Sequence, residues 1–413
     1  MAITIFSNCR MFDGVNETIP DGMHVAIEGG LIREVSHQPI ELSGLSDDVR
    51  RIDCHGHFLM PGLIDLHFHA YSASFDMSAL DRMPKSLLAS YAIKHLRDAL
   101  SRGFTTVRDP GGGDVGLALA IENGLFDGPR FLYGGRALSQ TGGHGDMRGH
   151  GEDEICGCTY SGVICRVVDG VDEVRRVVRN ELRKGAHHIK VFISGGVASP
   201  HDPLWMPQFT NDELRAAVEE AATRRKYVIA HCHTDDGARR CVDAGVRSID
   251  HATQILEPTA TMIAEAGLYT VPTLAVVHEV IHARDRTGLS AERAAKTDGM
   301  LESMLRSIET CRRAGVKIGL GTDIFGTEFH DMQASEFRYR SEVDSPIDVL
   351  RSATSINAEI AQCGDMLGQI RPGYGADLIV LDGDPLKDLS IFERYRTSMP
   401  IIMRGGRMIR CEL

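Results

Sequence analysis

Two histidines placed two residues apart, His67 and His69, close an apolar run at residues 63–69. Side chains alternate along a strand, so both point to the same side of it. Taken alone, an H-x-H pair is most simply read as core or loop histidines. Lys190 shifts that reading. It lies inside a second apolar run, 188–193, where a lysine is among the residues least often buried without a partner. His231 closes a third such run, His251 a fourth and Asp323 a fifth. Six metal-compatible side chains at matching ends of five runs outweigh the alternative of satisfied core hydrogen bonds.

Eight runs of this kind can be traced, at residues 63–69, 105–109, 130–135, 188–193, 227–231, 248–251, 268–272 and 316–323. Each is too short for a helix, and most are rich in β-branched residues, as buried parallel strands are. Helical segments lie between them, at 84–102, 170–184 and 211–225. Thr210 can cap the last, with Glu213 completing a T-x-x-E capping box. Gly103, Gly185, Gly245, Gly267 and Gly315 each stand where a helix should stop before the next strand. Strands alternating with helices in this number predict an α/β fold, a (β/α)8 TIM barrel with its active site at the C-terminal ends of the strands. The chain ends lack the rhythm and read as strands and turns, at 23–27, 376–382 and 401–407. Residues 1–60 and 364–413 are each short for a domain, so they are expected to meet in one small β-sandwich domain beside a barrel spanning 61–363.

Composition narrows the function. The 413 residues carry 57 acidic against 45 basic side chains, a formal charge of −12, which argues against a general nucleic-acid binder. With 43% hydrophobic and 25% charged residues, the chain is not of a disordered or fibrous kind. No run approaches the roughly 18 to 20 apolar residues of a membrane span, and the N-terminal segment lacks the features of a secretory signal. The ten cysteines are scattered. Cys156, Cys158 and Cys165 lack the paired spacing of a zinc ribbon, so reduced thiols in a cytoplasmic enzyme are expected.

The segments PGLIDLHFHA, IKVF, AHCH, DHAT and GLGTD, with the tail RPGYGADLIVLDGDP, resemble the metal-dependent amidohydrolase superfamily over nearly the whole chain. SQTGGHGD, RKGAHHIKVFISGGVASPHDP followed by QFT, and GTDIFGTEFHDMQASEF are similar to its prolidase-like and ochratoxinase-like group, which holds Xaa-Pro dipeptidases and a mycotoxin amidase. The resemblance implies two divalent metal ions, with zinc suited to imidazole and carboxylate ligands. It assigns His67, His69 and Asp323 to a buried metal and His231 and His251 to a second. A CO2-derived carbamate on Lys190 would bridge the two. It further implies hydroxide attack on an amide carbonyl, with Asp323 as general base and then acid. The implied substrate is a dipeptide, Xaa-Pro or similar, or an N-acyl amino acid. Self-association into a homo-oligomer is implied in the same way.

Three further histidines are candidates for substrate binding: His144 in a glycine-rich loop, His233 two beyond His231, and His330 after the eighth run. Related proteins often carry tyrosine at the position of His233. His187, His188 and Cys232 read as structural. Arg136, Arg148 and the Ser194-Gly195-Gly196 turn are on hand for a substrate carboxylate. Among the alternatives, an aromatic-base deaminase of this fold would place a glutamate in an H-x-x-E pattern, where this chain has Thr234. A cyclic amide or lactone hydrolase would share the metal centre and differ only in its loops. A non-catalytic scaffold would be expected to have lost ligands, and all six are present.

Overall fold

The computed structural model describes residues 3–41, 49–149, 151–152, 162–199, 201–287 and 290–413. Cys156 and Cys158 lie outside the described residues. At the N-terminal end, β1 (Ile3–Met11), β2 (Met23–Glu28), β3 (Leu31–Ser36), β4 (Val49–Asp53) and β5 (Phe58–Pro61) form first. β1 is shared: its first half pairs with β2 and β4, and its last residues pair with β5.

The chain then enters the barrel with β6 (Leu63–Asp65), β7 (Phe104–Asp109) and β8 (Arg130–Tyr133), which pair in parallel. Two short strands follow, β9 (Ala137–Ser139) and β10 (Cys165–Val167). The barrel resumes with β11 (His188–Phe192), β12 (Tyr227–Cys232), β13 (Ser248–His251), β14 (Tyr269–Val271) and β15 (Lys317–Ile318), again parallel. Backbone bonds close the ring. His187 N donates to Tyr133 O (2.8 Å), joining β11 to β8, and Leu66 N donates to Leu320 O (3.0 Å), joining the last strand to the first. The eight expected runs are thus the eight staves. β9 and β10 add a parallel pair at the edge of β11; at three residues each they carry no periodicity to read.

β15 is only two residues long, so side chains must hold the closing seam. Asp65 accepts hydrogen bonds from His67 N (2.9 Å), Thr322 N (3.2 Å), Thr322 Oγ1 (2.7 Å) and Gln333 Nε2 (2.9 Å). Asn357 donates to Ile64 O and Leu320 O while accepting from Leu320 N. These bonds satisfy backbone groups that a longer strand would have paired with its neighbour.

The helices follow the sequence signals. Those read at 84–102, 170–184 and 211–225 span Lys85–Ser101, Val171–Arg183 and Asn211–Thr223. The capping box of the third is formed in both directions, Thr210 N to Glu213 Oε2 (2.7 Å) and Glu213 N to Thr210 Oγ1 (3.3 Å). All five expected stop glycines have positive φ, from 66° to 95°. After the barrel, β16 (Leu378–Leu381), β17 (Ile401–Arg404) and β18 (Arg407–Cys411) return to pair with β5. Phe6, Val25 and Ile27 from one end then share a core with Leu378, Val380 and Ile401 from the other, which gives the small β-sandwich.

Glu336 ties the last part of the barrel to the helix Leu274–His282. Its carboxyl oxygen accepts from Ala275 N at 2.7 Å, and burial pushes its pKa up to about 8. A carboxyl raised above its unfolded value adds stability that is complete below the unfolded pKa and is lost as pH rises through the folded one. Stability should therefore fall from pH 5 to 9, and Glu336→Gln should reduce that fall by about 1–3 kcal/mol. Denaturant melts at the two pH values measure it; equal falls in variant and wild type would contradict the assignment.

Candidate metal centre and its pocket

The C-terminal ends of the barrel strands surround a pocket. His67, His69, Lys190, His231, His251 and Asp323 all line it, and so do His144 and His233. His330 does not. It lies buried behind His69's segment, stacked on His95 with ring centroids 3.6 Å apart and bonded to Ser72 Oγ at 3.0 Å. The reason is local: His330 opens a 3-10 helix, His330–Ala334, that packs on the outside of the barrel against the helix carrying His95. The structure therefore does not bring it to the pocket.

On the floor, His67 Nε2 is 3.4 Å and His69 Nε2 3.3 Å from Asp323 Oδ1, and Lys190 Nζ is 3.5 Å from His67 Nε2. One ligand atom from each of His67, His69 and Asp323 can be chosen so that all three lie within 4.8 Å of one another. A tetrahedral ion about 2.0–2.1 Å from its ligands would separate them by about 3.3–3.4 Å. The two separations from Asp323 match such an ion. The rings of His231 and His251 stand alongside, centroids 4.5 Å apart.

Each imidazole has one nitrogen beside a polar partner. His67 Nδ1 is 2.9 Å from Asp250 Oδ2, His69 Nδ1 is 2.9 Å from Gly111 O, His231 Nε2 is 3.2 Å from Gly195 O, and His251 Nδ1 is 2.8 Å from Thr273 Oγ1. A ring that donates on one side keeps a lone pair on the other, and this is how metal-binding histidines are oriented. Asp250 is itself held by Arg108, whose Nη2 lies 3.0 Å from Asp250 Oδ2 and whose Nε donates to Leu66 O. Arg108 and Asp250 are both fully buried.

Burial governs the charge states. It pushes His67 down to about 4, aided by the Lys190 charge, and holds His231 and His251 well below the usual imidazole range. These three rings are therefore neutral, as ligands must be; His69 differs, since burial would lower it but Asp323 and Asp109 hold it above the usual imidazole range. Burial also lowers the Lys190 ammonium, partly opposed by Asp250 and Asp323. Asp250 goes the other way: burial alone would raise it, but Arg108, His67 and Lys190 together keep it ionised.

Sequence reasoning passed over Arg108, Asp250, Thr273 and Asp109, although Asp250 adjoins His251. Strand alternation should send those two neighbours to opposite faces. His251 (φ 71°) and Ala252 (φ 46°) are left-handed, and so is Asp323 (φ 55°). That turn brings His251 inward beside Asp250. Such backbone costs about 1–3 kcal/mol per residue and gathers at functional sites.

His187 and His188 lie toward the opposite end of β11, and Cys232 is buried outside the pocket lining, as expected. Arg136 pairs with Glu181, and Arg148 with Asp146; neither lines the pocket. Ser194 Oγ instead accepts from His233 N (2.9 Å). Thr234, where a deaminase would carry its glutamate, caps the helix Asp235–Ala244. The walls are apolar, with Phe75, Ile164, Phe192, Val277, Met300 and Phe325. Among the described residues no helix is long and apolar enough to cross a membrane.

Residues 58–407 match the amidohydrolase family model. The chain is 35% identical over 372 residues to ochratoxinase of Aspergillus niger, covering 85% of this chain and 75% of that protein. It is similar to a crystal structure of an amidohydrolase at 43% identity, with a TM-score of 0.95 and full coverage of both chains. It is also similar to a prolidase crystallised with N-methylphosphonate-L-proline, at 40% identity and a TM-score of 0.95, over 99% of this chain and 100% of that one.

Asp250→Asn keeps the shape of the side chain that orients His67 but removes its charge. Affinity for a divalent ion should fall about 10–100-fold, as read by competition with a chromogenic chelator. An unchanged affinity would show that Asp250 does not orient a ligand.

Proposed function

The chain belongs to the amidohydrolase family, and from that premise we propose that it is a two-metal amide hydrolase acting on a dipeptide, Xaa-Pro or similar, or on an N-acyl amino acid. The observation that carries this reading is the set of four histidines around a buried lysine and Asp323, each with one nitrogen beside a polar partner outside the centre. His67, His69 and Asp323 would hold one ion and His231 and His251 the second. Lys190, once its neutral amine has added CO2 and released a proton, would offer an anionic oxygen to each. Its burial supports this, since a depressed ammonium leaves more of the amine nucleophilic. Two such ions, zinc by the donor set, lower the pKa of water and polarise a carbonyl.

The protein's own groups do the rest. Asp323, ionised among His67, His69 and Lys190, takes the proton from the attacking water and gives it to the departing nitrogen. His233 is fixed by Thr253 Oγ1 (2.7 Å) and His144 by Ser199 Oγ (2.6 Å). Both face the pocket, where they can hold the carbonyl oxygen as charge grows on it. The apolar walls suit an acyl or side-chain group without charge. Cleavage of an amide to an amino acid is also what the names of the ochratoxinase and prolidase relatives suggest for this chain.

Zinc- and bicarbonate-treated enzyme should release amino acid from some member of a panel of Xaa-Pro, Xaa-Phe, Xaa-Arg and N-acyl amino acids, with apolar members preferred. Chelation should abolish the activity. Asp323→Asn should lower kcat about a thousandfold while retaining some metal. Activity on a purine or a lactone with none on the panel would overturn the substrate class, and wild-type turnover by Asp323→Asn would overturn its role.

A further inference from the structure

We propose that Lys296 is a positioning residue for this reaction: its ammonium clamps the loop after β11 so that His144 is held against the metal centre. The inference rests on the function proposed above. Lys296 Nζ donates to three backbone carbonyls of that loop, Gly196 O (2.9 Å), Ser199 O (3.1 Å) and Asp202 O (2.8 Å). An ammonium has three donors on one atom and can serve three converging carbonyls; the planar fork of arginine cannot. Without the cation, the negative ends of three peptide dipoles would face one another across a half-buried space.

The clamped residues are those that hold His144. Ser199 Oγ is 2.6 Å and Asp202 Oδ2 3.4 Å from His144 Nδ1. Asp202 Oδ2 also accepts from Gly196 N (3.0 Å) and Gln208 Nε2 (3.1 Å), and Gln208 Oε1 accepts from His144 N (2.9 Å). The imidazole lies so close to the loop backbone that a Cβ on Gly196 would come within 2.1 Å of His144 Cε1. On its other side the ring stacks on His231, centroids 4.4 Å apart at 21°. A shift of the loop must therefore move His144 relative to His231. Thr297 and Met300, just beyond Lys296, line the same pocket, so the one side chain fastens two of its walls together.

Lys296→Met keeps the aliphatic stem and removes the charge. Trp205 is the only tryptophan of the chain, stands three residues beyond Asp202 and is 73% exposed, so its fluorescence reports this loop alone. In Lys296→Met the anisotropy of Trp205 should fall while far-UV circular dichroism stays unchanged. On the best amide of the panel, kcat should drop about 10–100-fold with a smaller change in KM. In a His144→Ala background the same change should cost less than about twofold, since contacts acting through one residue are not additive. Unchanged anisotropy would overturn the clamp, and an equal loss in both backgrounds would overturn its action through His144. If the wild type cleaves no member of the panel, the proposed function fails, and the anisotropy alone then decides for or against the clamp.

Discussion

A carboxylate shut away from water, Asp250, lies between the guanidinium of Arg108 and the imidazole of His67, and the rest of the centre depends on that chain of charge. Arg108 comes from β7 and Asp250 from β13, while Arg108 also grips the backbone just beyond β6 through Leu66 O. Three staves of the barrel are thus fastened by one side chain. Burying these ions is costly, and removing one partner of such a pair typically costs about 3–5 kcal/mol. What the arrangement secures is orientation: an ionised Asp250 2.9 Å from His67 Nδ1 favours a proton on that nitrogen, and Nε2 faces Asp323 and Lys190.

The pocket divides its labour by material. Its floor consists of strand ends and their short turns, locked by hydrogen bonds that Asp65 and Asp109 accept and by the hydroxyls of Thr253 and Thr273. Its walls are apolar side chains from loops and helices, which can change without disturbing the floor. A family that keeps a hydrolytic centre while varying its substrates needs that separation. Backbone strain falls on the floor side, at His251 and Asp323, where the surrounding bonds are dense enough to hold it.

The staves were legible because buried parallel strands are continuous apolar runs, in which Lys190 or His231 stands out by type. The H-x-H spacing, the capping box at Thr210 and the stop glycines are local signals that survive folding unchanged. Asp250 was hidden for the opposite reason. Its partners, Arg108 and His67, are 142 and 183 residues away along the chain, and the left-handed turn at His251 breaks the alternation that would have located it. His330 misled because a histidine just past a strand looks the same in sequence whether its helix packs toward the pocket or away from it. Lys296 lies in a polar helical stretch with nothing local to mark it; only the three carbonyls that converge on it give it a function.

The central claim is that oriented histidines and a buried lysine with a depressed ammonium make a centre for two ions. Metal titration in 13C-bicarbonate, followed by calorimetry and carbon NMR, tests it most directly. Wild-type protein should take up two equivalents of zinc and develop a carbamate carbonyl signal, and Lys190→Met should lose that signal and bind its second equivalent weakly or not at all. Uptake of a single equivalent, with no carbamate and no difference between wild type and Lys190→Met, would contradict it.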